Sequence, residues 1–550
     1  MKNLAKHLGD PRKTSPREPI PGYENQMKVG PAGGYVFQAG DWERLDRFLI
    51  IGTEGGTYYV GERGLTLENA AVVRRCLVAD MPRTLARIIE VSDQGLAPKN
   101  DPAILALALA FCEKGIHVPL RDLALQKVCR TGTHLFQFLE AVRGMRGGGR
   151  GLNRAVRSWL DGKDIDRLAL QMVKYRVRAG WTWRDVLRRY RPKPPAEDQD
   201  AAEARIRRAL YAWAAGKEHA VDDLPTIVFN AARAQELPVK ELAHFIEINR
   251  LPWECVPSEH TTRKDVLGAL FESMPMMATV RQLSKLQAHG VLDEKLDAVC
   301  KRLTDETAIE RSRIHPVALM LAAGAYEAGR GRHLTWVPSP AVVDALDDAF
   351  QIALKTAEST GKRLLVAIDS SGSMHSSRLP SGVPLFKVAA AMALTYVRTD
   401  QATVLAFDAE TSAFDWTYRR RPNVRDRAGV YPLALSGRMR VTDAMRAIAD
   451  LGAGGGTDCS LPFRYALQQG LEVDAFVVLT DNESWRGQMH AGQALQEYRD
   501  KKNPRAKVIW CAMTAGGSSL GLPDDQRCLG ICGFDASAPK LVGDFAADRF

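Results

Sequence analysis

Asp369, Ser371 and Ser373 fall within five residues of one another in "AIDSSGSMH", where Gly372 lets the chain turn tightly. One carboxylate and two hydroxyls on such a loop are hard oxygen donors. A second loop, "LGAGGGTDCSLP" (451–462), offers the hydroxyl of Thr457, and a third, "LTDNES" (479–484), the carboxylate of Asp481. A hard divalent cation such as Mg²⁺ is held by one or two carboxylates with neutral oxygens and water completing the shell, which is the chemistry this set provides. The plainer alternative is that serines after a strand simply make a turn or cap the next helix. A nucleophilic serine is disfavoured because "SSGSM" lacks the G-x-S-x-G elbow and only His375 lies near it in sequence. A metal-dependent nuclease would need a second bridging carboxylate cluster or a clear general base.

The elements that must position these oxygens are strands alternating with helices. "KRLLVAID", "QATVLAFD", "DAFVVLTD" and "AKVIWCAMT" have the apolar, β-branched character of buried strands, and "PLFKVAAAMALTYVRT" and "SLPFRYALQQGL" read as helices between them. That order predicts a doubly wound parallel sheet. Asp369, Asp408 and Asp481 each end a strand, so they share the carboxyl-terminal rim where open α/β sheets bind ligands. From about residue 65 to 350 the pattern is almost purely helical. Units such as "DPAILALALAFCEKG", "LNRAVRSWLDG" and "HPVALMLAAGAYEAG" follow one another with short connections. They suggest a helical-repeat array, although without a strict period a compact bundle stays open. A chain of 550 residues exceeds one core and implies at least two domains.

Net charge is +10, and 15 Lys/Arg against four Asp/Glu fall between residues 143 and 193, a local net of +11. That stretch is the candidate polyanion surface. The nine cysteines are scattered through apolar contexts and odd in number, which argues for reduced thiols rather than a disulfide framework. No apolar signal segment opens the chain, and "AILALALAFC" is too short to cross a bilayer. The expectation is a cytoplasmic protein without a membrane partner, whose residues 1–24 form a loose, flexible tail.

The three oxygen-bearing loops resemble the metal-ion-dependent adhesion site of von Willebrand factor A domains, with Asp369, Ser371, Ser373, Thr457 and Asp481 as the matching ligands. Such sites keep one metal position open for an acidic residue of a partner. Longer runs, among them "RLDRFLIIGTEGGTYYVGERGLTLENA", "CRTGTHLFQFL", "KYRVRAGWTWRDVLR" and "SEHTTRKDVLGALFESMPMMATVRQLSKL", resemble the TROVE module of the Ro 60-kDa autoantigen family. The likeness covers about residues 25 to 545. It divides the chain into a TROVE helical domain (25–360) and a von Willebrand factor A-like domain (361–550). The implied fold is multidomain: an all-α ring of HEAT-like helical repeats closed by the α/β domain. The implied function is noncatalytic. Small noncoding Y RNAs would bind an outer basic surface, and single-stranded 3′ ends of misfolded RNAs would enter a central hole. In bacteria the partner would be polynucleotide phosphorylase or a similar exoribonuclease. A ring closed within one chain predicts a monomer.

Carried over by motif, Lys174 and Arg178 match Y RNA-contacting positions, and their spacing of four predicts one solvated helical face. Arg191 stands where the family has a histidine, which keeps a phosphate partner but not a histidine-specific base contact. Arg143, Arg146, Arg150, Arg154 and Arg157 extend the basic track. Trp181 reads as a packing residue, while Trp183 is open between packing and base stacking. A second group, His260, Thr262, Arg263 and Lys264, with Arg281 and Lys285, is the candidate lining of the hole. The arginine-rich stretch 417–442 is either an RNA-touching loop or a solvated insertion. The rival function is a metal-dependent protein-docking module on a helical-repeat scaffold.

Overall fold

The apolar runs between residues 41 and 353 become helices in a computed structural model, which describes residues 13–549 apart from 114–117, 146–148, 193–200, 355–358, 380–382, 410–428 and 453. A short antiparallel hairpin, β1 (Met27–Val29) with β2 (Tyr35–Gln38), precedes them. Side-chain caps set several helix starts: the carboxylates of Asp80, Asp164 and Asp305 accept the backbone N–H of Arg83, Arg167 and Ala308. Amphipathic spacing decides which face turns inward. The helix Arg150–Asp161 buries Leu152, Ala155, Val156, Trp159 and Leu160 and leaves Arg150 and Arg154 exposed.

Packing partners advance along the chain by alternate helices. Met81–Gln94 packs on Val118–Val128, which packs on Arg150–Asp161, which packs on Trp183–Tyr190, while Asp101–Cys112 packs on Gly132–Met145. Stacked helix pairs of this kind make a repeat array. The array is interrupted by a two-residue hairpin, β3 (Val177–Arg178) with β4 (Trp181–Thr182), turned by Ala179 and Gly180 at positive φ.

The carboxyl-terminal unit contains β5 (Arg363–Asp369), β6 (Gln401–Phe407), β7 (Val430–Leu433), β8 (Ala475–Thr480), β9 (Lys507–Ala512), β10 (Ser518–Ser519) and β11 (Cys528–Cys532). Its sheet has the order β11-β9-β8-β5-β6-β7, parallel except for the antiparallel edge strand β7. The four strands expected from sequence are the central four. The edge strands β7 and β11 were not expected, because Pro432 and Gly530 stand inside their runs, VYPL and CLGIC, and either residue argues against a central strand.

Strand β10 leaves this sheet and pairs with β2, so the chain's beginning is stitched to the carboxyl-terminal unit. Residues 13–24, expected as a loose tail, are packed as well. Thr14 and Ile20 are buried, the Thr14 N–H donates to Gln493 Oε1 at 3.1 Å, and the His490 ring meets the Glu18 carbonyl at 2.7 Å. These apolar and polar anchors fix a segment whose composition alone reads as disordered; residues 1–12 lie outside the described part.

The helical region meets the sheet unit at both of its ends, and its own ends meet each other. Arg313 pairs with Asp93 at 2.7 Å, across 220 residues. Ala536 donates to the Leu96 carbonyl at 3.2 Å, and His315 lies 2.8 Å from the Phe534 carbonyl. On the other side Asp347 accepts from Arg398 at 2.8 Å and from the Val441 N–H at 2.7 Å. The nine cysteines are free, six buried and three half-buried. Among the described residues no helix is long and apolar enough to cross a membrane.

Candidate functional site

Strand β5 is the first strand laid down in the sheet; β6 joins it on one side and, after β7, the chain returns to place β8 on the other. The crevice between the carboxyl ends of β5 and β8 is therefore a topological switch point, where loops diverge and a ligand can enter. Asp369 ends β5 and Asp481 follows β8. Asp369, Ser371, Ser373, Thr457 and Asp481, read from three separate loops, are all buried here. The Ser371 N–H donates to Asp369 Oδ1 at 2.9 Å, the Ser371 and Ser373 hydroxyls are 3.1 Å apart, and Thr480 donates its hydroxyl to Asp369 Oδ2 at 2.7 Å. The Glu483 N–H donates to Asp481 Oδ1 at 3.2 Å.

Electrostatics describe a site short of positive charge. Burial, then the Asp481 carboxylate, pushes Asp369 up to about 7, and burial pushes Asp481 up to about 6. Among the described residues no cationic side chain is among the leading influences on either. The Thr457 hydroxyl is buried without a hydrogen-bond partner. Two desolvated carboxylates and an orphaned hydroxyl fit a hard cation: Asp369 and Asp481 would supply charge, and Ser371, Ser373 and Thr457 neutral oxygens. Among the described residues no group of three or more His, Cys, Asp or Glu gathers for a metal, so this mixed oxygen set is the candidate. Asp408, third of the strand-ending aspartates, stands apart, its carboxylate facing the Tyr431 hydroxyl at 3.3 Å. The His375 ring stacks on Phe386, centroids 3.8 Å apart.

Sequence spacing missed three neighbours. Thr480 is the last residue of β8 and looked like strand core. Glu483, pushed up to about 7 by burial, accepts from the Ser518 hydroxyl at 2.5 Å and from the Ala32 N–H at 3.2 Å. The third is Tyr59, from the helical half, whose phenol is pushed up by burial and by the carboxylates of Asp481, Glu483 and Asp369.

The basic stretch separates into structural and free charges. The helix carrying Lys174 ends there, and Arg178 lies on β3, so the expected shared helical face does not exist: the hairpin at 177–182 breaks the periodicity. Lys174 is half-buried and 3.6 Å from Glu254, whereas Arg178 is exposed. Arg157 donates to the Tyr190 carbonyl at 2.5 Å, and Arg154 and Arg143 face Asp122 and Glu140 at 3.5 and 2.7 Å. Arg150 is exposed, and Arg146 lies outside the described residues. Arg191 caps the helix Trp183–Tyr190 in a left-handed conformation, φ 45°. With Arg184, Arg188, Arg208 and Lys217 it borders a cleft of about 730 Å³. Among the described residues Arg184, Arg188 and Arg191 meet no carboxylate. Trp181 and Trp183 are both buried, which answers the open reading of Trp183 in favour of packing.

The second group is less basic than its sequence suggests. His260, Thr262 and Arg263 precede the helix Lys264–Ser273 rather than ride on it. Arg263 pairs with Asp265 at 2.9 Å and Lys264 with Glu294 at 2.6 Å. Lys285 donates to Thr261 at 3.2 Å with its ammonium 4.4 Å from the Trp253 ring centre, and Arg281 is exposed. Of the stretch 417–442, residues 417–428 lie outside the described part; the rest forms β7 and the approach to the helix Val441–Ala449, with Arg440 on Asp344 at 2.6 Å.

Comparison with known proteins adds independent findings. Residues 28–250 and 247–330 match the TROVE domain, and residues 363–546 match the Ro60 vWA domain. The chain is 35% identical to an RNA-binding protein RO60 from Deinococcus radiodurans over 536 residues, 94% of each chain. It is 28% identical to an RNA-binding protein RO60 from Caenorhabditis elegans, covering 94% of this chain and 90% of the relative. The crystal structure of Deinococcus radiodurans RO (RSR) protein superposes with a TM-score of 0.65 at 33% identity, over 93% of this chain and all of that one.

Proposed function

The chain belongs to the Ro60 family, carrying its TROVE and vWA modules in order, and on that premise we propose that it is a noncatalytic RNA-binding protein acting in RNA quality control. The observation that carries the reading is the cleft bordered by Arg184, Arg188 and Arg191, which meet no carboxylate among the described residues. Unneutralised guanidinium groups bind phosphates, giving affinity that falls steeply with salt and carries little sequence information. A small structured Y RNA is the ligand proposed for this face, with single-stranded 3′ ends of misfolded RNAs entering a central hole. An exoribonuclease such as polynucleotide phosphorylase is the proposed partner.

The test is the RNA that copurifies with wild type and with Lys174→Ala/Arg178→Ala/Arg191→Ala. One discrete small RNA, held by wild type and depleted from the variant, is expected. Identical random fragments on both proteins would refute the assignment. Protein docking is the second reading, favoured by the buried oxygen set at Asp369 and Asp481, and it is compatible with RNA binding elsewhere.

A further inference from the structure

The turns that join the early helices in pairs lie side by side and gather positive charge. Residues 95–100 connect Met81–Gln94 to Asp101–Cys112, and residues 129–131 connect Val118–Val128 to Gly132–Met145. Residues 162–164 connect Arg150–Asp161 to Ile165–Lys174. Neighbouring turns are stitched together: Asn100 Nδ2 donates to the Val128 carbonyl at 2.9 Å, and Trp159 Nε1 to the Cys129 carbonyl at 2.5 Å. Arg130 reaches back to the Ser92 hydroxyl at 2.7 Å, and Arg313 is brought alongside by its pair with Asp93.

A cavity of about 390 Å³ opens between these turns, lined by the cations Lys127, Arg130, Lys163, Arg167 and Arg313. That volume falls in the range of small-ligand clefts. Two carboxylates also line it, and both are already engaged. Asp93 is shared between Lys127 at 3.0 Å and Arg313 at 2.7 Å, and Asp164 accepts the Arg167 N–H at 3.0 Å as a helix cap. Five cations against two carboxylates leave a net of +3. Among the described residues Arg130, Lys163 and Arg167 form no ion pair with a carboxylate. Arg167 is exposed, while Lys163 is half-buried with its ammonium 4.1 Å from the Trp159 ring centre. Burial, then the like charge of Arg313, lowers Arg130 from its ordinary value; burial, then Arg167, lowers Lys163. Like charges held close in a partly desolvated cleft repel unless an anion enters between them. None of these lining residues belongs to the cleft bordered by Arg184, Arg188 and Arg191.

We propose that this cavity is an anion site for a terminal phosphate, supplied either by a free nucleotide or by the phosphorylated end of an RNA strand. A terminal phosphate carries close to two charges, against one for a backbone phosphodiester, and so better matches three cations that no carboxylate neutralises. The cations are held ready by contacts within the fold: Arg130 by Ser92, Arg313 by Asp93 and Lys163 by the Trp159 ring. The site does not depend on the assignment of a Y RNA to the Arg184, Arg188 and Arg191 cleft.

The experiment uses full-length protein freed of nucleic acid and titrated calorimetrically with ADP, with adenosine as the phosphate-free control. ADP is expected to bind and adenosine is not. Arg167→Ala and Lys163→Met are each expected to weaken ADP about tenfold, the loss of one charge-assisted hydrogen bond. Arg167 is exposed, so its variant keeps the result readable should Lys163→Met fail to fold. A tetranucleotide with and without a 5′-phosphate separates the two sources. Tighter binding of the phosphorylated tetranucleotide than of ADP assigns the site to an RNA end, and the reverse order assigns it to a free nucleotide. No ADP binding by wild type, or equal binding of adenosine, would overturn the site. So would ADP binding that Arg188→Ala weakens while Arg167→Ala and Lys163→Met leave it unchanged, since the outer cleft would then hold the probe.

Discussion

His315 provides a titration whose sign and size follow from its surroundings. The imidazole is buried where three segments meet: it caps the helix Pro316–Glu327, touches the Leu96 carbonyl region of the early helices, and reaches Phe534 in the sheet unit. Its Nδ1 accepts the Val317 N–H at 3.1 Å, so Nε2 carries the hydrogen and donates to the Phe534 carbonyl at 2.8 Å. A second proton would have to sit on Nδ1, facing an N–H. Burial accordingly lowers this group from 6.5 to about 4. The folded pKa lies below the unfolded one, so between these values the unfolded chain takes up the proton first. Stability from this group is intact above pH 6.5 and is lost as pH falls toward 4. The full difference is about 3 kcal/mol, and about 2 kcal/mol is already lost at pH 5. Urea unfolding of wild type and His315→Gln at pH 7.5 and pH 5 is the assay. The variant starts lower at pH 7.5, having lost a fitted cap, but its further loss on acidification is smaller than that of wild type by about 2 kcal/mol. His134, also lowered to about 4 by burial, is present in both proteins and cancels in the comparison. Equal acid-induced losses in the two proteins, or a His315 ring signal titrating near its ordinary value, would refute the reasoning.

Two further outcomes follow from close packing and from buried charge. A methyl group on Gly34 would lie 2.0 Å from the Ser484 carbonyl oxygen and 2.9 Å from the Trp485 Cα, both backbone atoms, so Gly34→Ala must push the β1–β2 hairpin off the loop carrying Asp481. A loss of about 2 kcal/mol is expected, with hydrogen exchange accelerated in residues 25–38; unchanged exchange would count against that docking. Arg398→Ala removes the cation from Asp347 and the donor from the Gly437 and Met439 carbonyls at the joint between the halves. It should cost about 3 kcal/mol in denaturant, and Asp347→Leu/Arg398→Met should recover most of it, because the penalty is an uncompensated buried charge; no recovery would refute that account.

The sequence by itself determined what depends on neighbours along the chain. Central strands announce themselves by continuous apolar runs, and the loops after β5, after the helix Val441–Ala449 and after β8 carry their oxygens within short stretches, so Asp369, Ser371, Ser373, Thr457 and Asp481 could be read as candidates before any fold was known. Helices with buried stripes were legible for the same reason. The edge strands β7 and β11 were not, since Pro432 and Gly530 stand inside their runs and only an edge tolerates them. The packed segment 13–24 was hidden because its anchors, Gln493 and His490, are supplied more than 470 residues later. Spacing could not say that Lys174 and Arg178 part company at a hairpin, nor that Arg157 is occupied by the Tyr190 carbonyl while Arg191 meets no carboxylate among the described residues. Which charges stay free is set by contacts between segments distant in sequence, and only the tertiary structure makes those.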